Sequence, residues 1–226
     1  MHSCLSPCGG DDNTPANLAG MCALAGLDIV ALTDHNTCGN CRAFCAAAEE
    51  VGLLAIPGME LTTMEEIHVV LLFPDPEQAE ACSAHVRTTL PPIANRTDLF
   101  GEQILMDHED NVLGTETAFL AGATSIGIYD VRKLAEQYGA FAFPAHIDRP
   151  SFSLLSTLGL WDPDMGFRLA ELSGSCPPGF TDRPDLKGLR FIHDCDAHYL
   201  EQIPDAHQWM ELPEKSVSAV LNWLKG

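Results

Sequence analysis

The sequence predicts a single α/β domain in which parallel strands and helices alternate and close into a compact barrel. Three observations predict it. Apolar, β-rich runs alternate with helical patterns, the signature of a parallel sheet covered by helices. About seven such runs fit within 226 residues, room for one domain with a sizeable core. No glycine-rich phosphate loop follows the first long strand, which argues against an open, doubly wound sheet.

Each element has a local cause. Thr14 is placed to cap a helix with Pro15 at its first position, and Gly26 closes it. Apolar runs at 28–33, 53–57, 68–73, 140–144, 168–172, 189–193 and 208–212 read as buried strands. Helices fit at 39–51, 76–89, 130–138 and 215–225. One segment breaks the rhythm: residues 101–107 and 112–114 flank a polar turn at 109–111 and read as a β-hairpin. It lies in an insertion of about residues 91–125, entered at Pro91-Pro92 and expected on the barrel rim.

Composition narrows the function. The net charge is −20, a field that repels nucleic acid and anionic lipid. A phosphorylated substrate would then be held through bound cations. No apolar run approaches the roughly 18 residues that span a bilayer. Nine cysteines, an odd number, with no basic stretch leading into an apolar one, point to reduced thiols and a cytoplasmic setting.

The chemistry lies in where polar residues fall. His2 and Cys4 are two apart and share a face if they stand on a strand. Thr33-Asp34-His35 ends one strand, Glu60 follows another, His68 opens a third and His146 ends a fourth. Asp196 and His198 end a later one, again two apart. Strand ends of a barrel converge on one face, so these residues meet there. Neutral imidazole and carboxylate ligate Zn, Mn and Fe.

In His2-Ser3-Cys4, Thr33-Asp34-His35-Asn36-Thr37, Gly58-Met59-Glu60-Leu61-Thr62-Thr63, His68, Pro144-Ala145-His146 and Cys195-Asp196-Ala197-His198, the sequence resembles the PHP family (polymerase and histidinol phosphatase). The resemblance spans nearly the whole chain. It implies a metal-dependent phosphoesterase on a distorted (β/α)7 barrel, with two to three divalent ions and a small phosphorylated substrate. It makes His2, Glu60 and Asp196 ligands of one metal, with Glu60 bridging to a second held by His68 and His146. His35 and His198 would serve a third site or face the phosphate, and Asp12, or Asp11 beside it, stands where some relatives place another ligand. Phe100-Gly101-Glu102-Gln103 and Ala145-His146-Ile147-Asp148-Arg149-Pro150 resemble a bacterial subgroup of unassigned substrate.

The family's first motif reads Asp-x-His-x-His. Here the chain starts at Met1, so the Asp position is absent, which a chain begun late would explain, and Cys4 replaces the second His. As a ligand, a Cys4 thiolate would tilt preference toward Zn or Fe; otherwise that metal is weak or missing. The expected reaction has a metal-activated water attack phosphorus. Asp196 or His198 takes its proton, His35 protonates the leaving oxygen, Arg149 clamps the phosphate and Asp34 orients a ligand. A weakened barrel acting as a regulatory module, or an amide or ester hydrolase, would use the same residues. Cys38, Cys41 and Cys45 have metal-site spacing but read more simply as buried helix positions. Arg149 alternatively pairs with Asp148 or another surface acid. His85, His108 and His207 read as surface residues, and Trp209 and Trp223 as ordinary packing.

Overall fold

The computed structural model describes residues 1–226. In chain order the elements are α1 (Pro15–Leu24), β1 (Ile29–Leu32), α2 (Cys41–Glu50), β2 (Leu54–Thr62), β3 (His68–Leu72), α3 (Pro76–Arg87), α4 (Thr97–Phe100), β4 (Ile104–Met106), β5 (Val112–Thr115), α5 (Val131–Gln137), β6 (Phe141–Pro144), α6 (Leu154–Leu158), β7 (Leu169–Leu172), β8 (Arg190–His193) and α7 (Val217–Lys225). The protein is thus mixed α/β.

The expected parallel sheet is overturned at β3. The main sheet runs β1-β2-β3-β6, and β3 is antiparallel to both β2 and β6. The cause is the connection: residues 63–67 are too few for the crossover that parallel neighbours need. β7 and β8 pair in parallel as a separate sheet, and β4 with β5 form the hairpin. Single backbone bonds link the sheets at one end. His2 N–H donates to Ala197 O, Thr33 N–H to Met1 O, and Ile147 N–H to Glu171 O.

Alternation along the strands sorts side chains between two cores. Met59, Leu61, Val69 and Leu71 join the larger cluster with Leu18, Phe44 and Ala48 of α1 and α2. Ile56, Val70, Leu72 and Phe143 face the other way, against Val220, Leu221 and Leu224 of α7. Each such burial contributes about 1.5–3 kcal/mol, enough to hold a nine-residue helix that would be marginal alone. Its cap is Ser216, whose side chain accepts from Ala219 N–H.

The strand expected at 208–212 does not form, and Trp209 is 82% exposed rather than packed. The hairpin is shorter than expected and is tethered to α1. Asp110 accepts from Thr14 Oγ1 at 2.6 Å and from Ala16 N–H at 2.9 Å. Thr14 also caps α1 by accepting from Asn17 N–H. No helix is long and apolar enough to cross a membrane.

Candidate metal centre

Glu60 is the hub, and strand geometry puts it there. It lies between Met59 and Leu61, so it points away from the larger core. His68 is in phase with Val70, the residue paired with Glu60, and so lies on the same face. Because β3 runs backward, its first residue reaches the end where β2 finishes. Glu60 Oε1 lies 3.1 Å from His68 Nδ1 and 3.2 Å from His146 Nε2. Glu60 Oε2 lies 3.3 Å from both His2 Nε2 and His35 Nδ1. One buried carboxylate therefore meets four imidazoles, two on each oxygen.

Bent backbone delivers the other candidate ligands. Asn36, His146 and Asp196 have φ of 54°, 30° and 45°, in the left-handed region that costs a residue with a Cβ. Asn36 is held there by three bonds: it donates to Leu120 O and Gly122 O and accepts from Thr62 N–H. His146 stands where the chain leaves β3 for β7. Ala145 N–H donates to His68 O, and Ile147 N–H to Glu171 O.

His2 is aimed by a buried network. Asp34 accepts from Ser3 N–H at 2.7 Å, Ser3 Oγ at 2.6 Å and Ser6 Oγ at 2.7 Å. With its proton given to Asp34, Ser6 Oγ accepts from His35 N–H and faces His2 Nδ1 at 3.2 Å. With a cation at Nε2, that contact would keep the proton on Nδ1 and aim the Nε2 lone pair between Glu60 at 3.3 Å and Asp196 at 3.2 Å. Asp34 thus orients His2 through Ser6. The loop is tight enough that a Cβ on Gly9 would lie 2.1 Å from Ser3 O.

Three groups of ligand atoms fall within 4.8 Å of one another: His2, Glu60 and Asp196; His35, Glu60 and His68; and His2, His35 and His198. His35 rather than His146 completes the group around His68. The donor set fits divalent cations. His35 Nδ1 and His146 Nδ1 are buried without a hydrogen-bond partner, and His35 Nδ1 faces a carboxylate oxygen without hydrogen-bond geometry. A cation shared by the two would make that contact favourable.

With protons as the only counter-charge, burial works against a charged His2. Its bonds to Asp196 and Glu60 outweigh that and raise it to about 9. Burial, together with the positive neighbours His2 and His68, drives His35 well below the ordinary imidazole value. The expected general acid is therefore a buried, neutral ligand-like ring. His198 is more open, and its Nδ1 is bonded to Asp196 O at 2.8 Å, which leaves Nε2 available. Arg149 pairs with Asp196 at 2.8 Å, not with Asp148, which is taken by Ser173.

Cys4 and Asp12 are not brought to the cluster. Residues 1–4 form no strand, so the shared face is lost once Ser3 turns to Asp34. Cys4 Sγ sits 3.7 Å from Met106 Sδ, buried against the hairpin, and burial followed by the nearby Asp34 charge pushes its thiol to about 12. Asp12 and Asp11 are exposed, and Asp12 contributes only a carbonyl to Asn17. Cys4→Ser should therefore leave bound metal per chain unchanged by elemental analysis, whereas His2→Ala should lower it. Equal losses would restore Cys4 as a ligand. All nine cysteines are free; Cys38 and Cys41 both bond to Gly58 O at 3.2 Å, and no metal-type group includes a cysteine.

Sequence reasoning missed Glu171. Its signal was a carboxylate within an apolar strand, Leu-Ala-Glu-Leu, where a charge is seldom buried. Oε2 accepts from His146 N–H at 3.3 Å, and Oε1 is buried without a partner. Burial, then the charges of Asp194, Asp196 and Glu60, push its carboxyl well above the ordinary value. A raised carboxyl holds its proton longer folded than unfolded. Its cost is absent below the unfolded value of about 4.3 and grows as pH rises toward the folded one. In metal-free protein, Glu171→Gln should gain thermal stability over wild type as pH goes from 4 to 7. A gap that is flat or shrinks with pH would show that Glu171 is ionised in place.

No family model matches the chain, and no curated protein matches it by sequence. Solved structures do share its fold. An amidohydrolase from Chromobacterium violaceum, described with bound sulfate and no metal, has a TM-score of 0.66 at 20% identity, over 98% of this chain and 94% of that one. A candidate metal-dependent phosphoesterase from Bifidobacterium adolescentis has a TM-score of 0.60 at 20% identity, over 88% and 86%. A lesion-specific endonuclease from Pyrococcus furiosus has a TM-score of 0.65 at 15% identity, over 98% of this chain and 53% of that one. This chain spans about half of that endonuclease.

Proposed function

We propose that the protein is a metal-dependent phosphoesterase of the PHP kind, acting on a small phosphorylated molecule. The observation that carries the reading is Glu60, whose two oxygens each meet two imidazoles. A carboxylate shared in this way could offer one oxygen to each of two cations. The single bonds that link β8, residues 1–2, β1, β6 and β7 support the distorted barrel expected of that family.

In this reading His2, Glu60 and Asp196 would hold one ion, and Glu60, His68, His35 and His146 another, with His198 on the open side for a third. Zn, Mn and Fe suit such a set. When bound, the ions supply positive charge that acidifies a water and neutralises charge developing on the phosphoryl oxygens. Arg149, 40% exposed beside Asp196, binds a phosphate oxygen through the face of its fork that Asp196 leaves free. His198 moves the proton: Nε2 takes it from the attacking water and returns it to the leaving oxygen. Asp34, Ser6 and Asn36 hold the ligands in position.

Arg149 favours a phosphate ester over a neutral carbonyl group, since the phosphoryl oxygens already carry the negative charge that its planar fork pairs with. The net charge favours a small substrate over a nucleic acid, although the Pyrococcus protein of this fold is an endonuclease. The test is protein loaded with Mn, Zn or Fe, assayed on phosphate mono- and diesters, single-stranded DNA, amides and carboxylic esters. Turnover of a small phosphoester, with Arg149→Met raising KM at least about tenfold, is the expected result. Turnover of amides alone would replace the reading, and no turnover with full metal would leave a binding module.

A further inference from the structure

The chain carries twelve Lys and Arg side chains among 32 carboxylates. Seven hold carboxylates in ion pairs. The other five are Lys133, Arg168, Lys187, Arg190 and Lys225. Four of these five, all but Lys133, line one cleft of about 680 Å³. In a chain with nearly three acids for every base, four cations share a cleft and none has an Asp or Glu carboxylate within 4.0 Å. Placing like charges together costs free energy that a bound anion would offset.

The cleft lies away from the metal centre. Arg168 precedes β7 and Arg190 opens β8, whereas Asp196 and His198 follow the far end of β8. A four-residue strand spans about 13 Å. Asp185, the side-chain carboxylate in the lining, is occupied: it pairs with Arg183 at 2.9 Å and accepts from Trp161 N–H at 2.9 Å; Gly226 also lines the cleft, beside Arg190. Arg190 is fixed in place. One of its terminal nitrogens donates to Trp223 O and Leu224 O, and the guanidinium lies 4.7 Å from the centre of the Trp223 ring. The rest of its fork is left for a ligand.

We propose that this cleft is an anion site, separate from the metal centre, that binds a small ligand carrying two or more linked phosphates. The charge calls for more than one negative group, and the volume suits a small molecule. Trp161 forms part of the wall, so the site has a built-in reporter.

The test uses protein stripped of metal by chelation, so that no turnover is involved, with inorganic tripolyphosphate and ATP as probes. Binding is followed by calorimetry and by tryptophan fluorescence. Wild type should bind tripolyphosphate saturably and more weakly as salt rises. Arg168→Glu with Lys187→Glu should weaken it by roughly thirtyfold. Lys133→Glu, which removes the one unpaired cation outside the cleft, and Glu60→Gln, which alters the metal centre, should each change it less than about twofold. ATP binding more tightly than tripolyphosphate would place the organic part in the cleft as well; equal affinities would assign the site to the phosphate chain alone. Absence of saturable binding, or binding that survives the double reversal, overturns the proposal. So does binding lost on Glu60→Gln, because the anion would then sit at the metal centre. A properly folded double variant, shown by an unchanged circular dichroism spectrum, is required for its loss to count in favour.

Discussion

Glu60→Gln should empty the metal centre and lower turnover by about a thousandfold or more. The two side chains have the same shape, so the buried site keeps its packing. Yet Gln offers one oxygen and one NH2. Whichever way the amide turns, one pair among His2, His35, His68 and His146 faces a donor that cannot ligate. Either orientation removes the bridge and one unit of negative charge from the middle of the cluster. A loss of about 4 kcal/mol in the transition state corresponds to about a thousandfold in rate. Metal per chain and kcat should fall together, with the fold intact by circular dichroism. Full metal content and near-normal kcat in this variant would show that Glu60 is structural.

How much of this was legible in the sequence follows from what each inference rested on. Helix boundaries rested on local chemistry: Thr14 with Pro15, and Gly26 at φ 72°, lie where the caps require them. The direction of β3 was hidden because both its faces are buried, and a run such as His-Val-Val-Leu-Leu reads alike in parallel and antiparallel sheets. Only the length of residues 63–67 carried the answer. The residues 208–212 failed as a strand because an apolar run is no strand without an edge to pair with; α7 covers the sheet face instead.

The site was legible where a polar residue interrupts or ends a strand, as at Glu60, His68, His146 and Asp196. It was misleading at Cys4, where two-residue periodicity was extended into a loop. There Asp34, thirty residues away, decides which way Ser3 turns. No local rule reports such a contact. Glu171 was visible as an anomaly but had no partner in sequence to give it meaning. The basic cleft is assembled from β7, β8, α7 and the loops beside them, so its four cations look scattered along the chain.

Asp34→Ala should be the most damaging single change to stability at the centre, costing about 3–5 kcal/mol. Asp34 is fully buried and accepts three hydrogen bonds, from Ser3 N–H, Ser3 Oγ and Ser6 Oγ. Bonds to a charged group are the stronger kind, and alanine leaves their buried donors without a partner. Against a typical total stability of 5–15 kcal/mol this is a large fraction, and the midpoint of urea unfolding should drop accordingly with little change in slope. A second effect follows through Ser6. With its hydroxyl proton no longer committed to Asp34, Ser6 can donate to His2 Nδ1, and the tautomer that aims the Nε2 lone pair at the metal is no longer enforced. Metal affinity should fall by about 10–100-fold. Asp34→Asn separates the two effects. Oδ1 accepts from both Ser3 N–H and Ser6 Oγ, so an amide oxygen there keeps Ser6 and metal affinity stays near wild type, while the NH2 in place of Oδ2 cannot accept from Ser3 Oγ and part of the stability is lost. An alanine variant within 1 kcal/mol of wild type in urea, or an asparagine variant whose metal affinity falls as far as the alanine variant's, would break the link from Asp34 through Ser6 to His2.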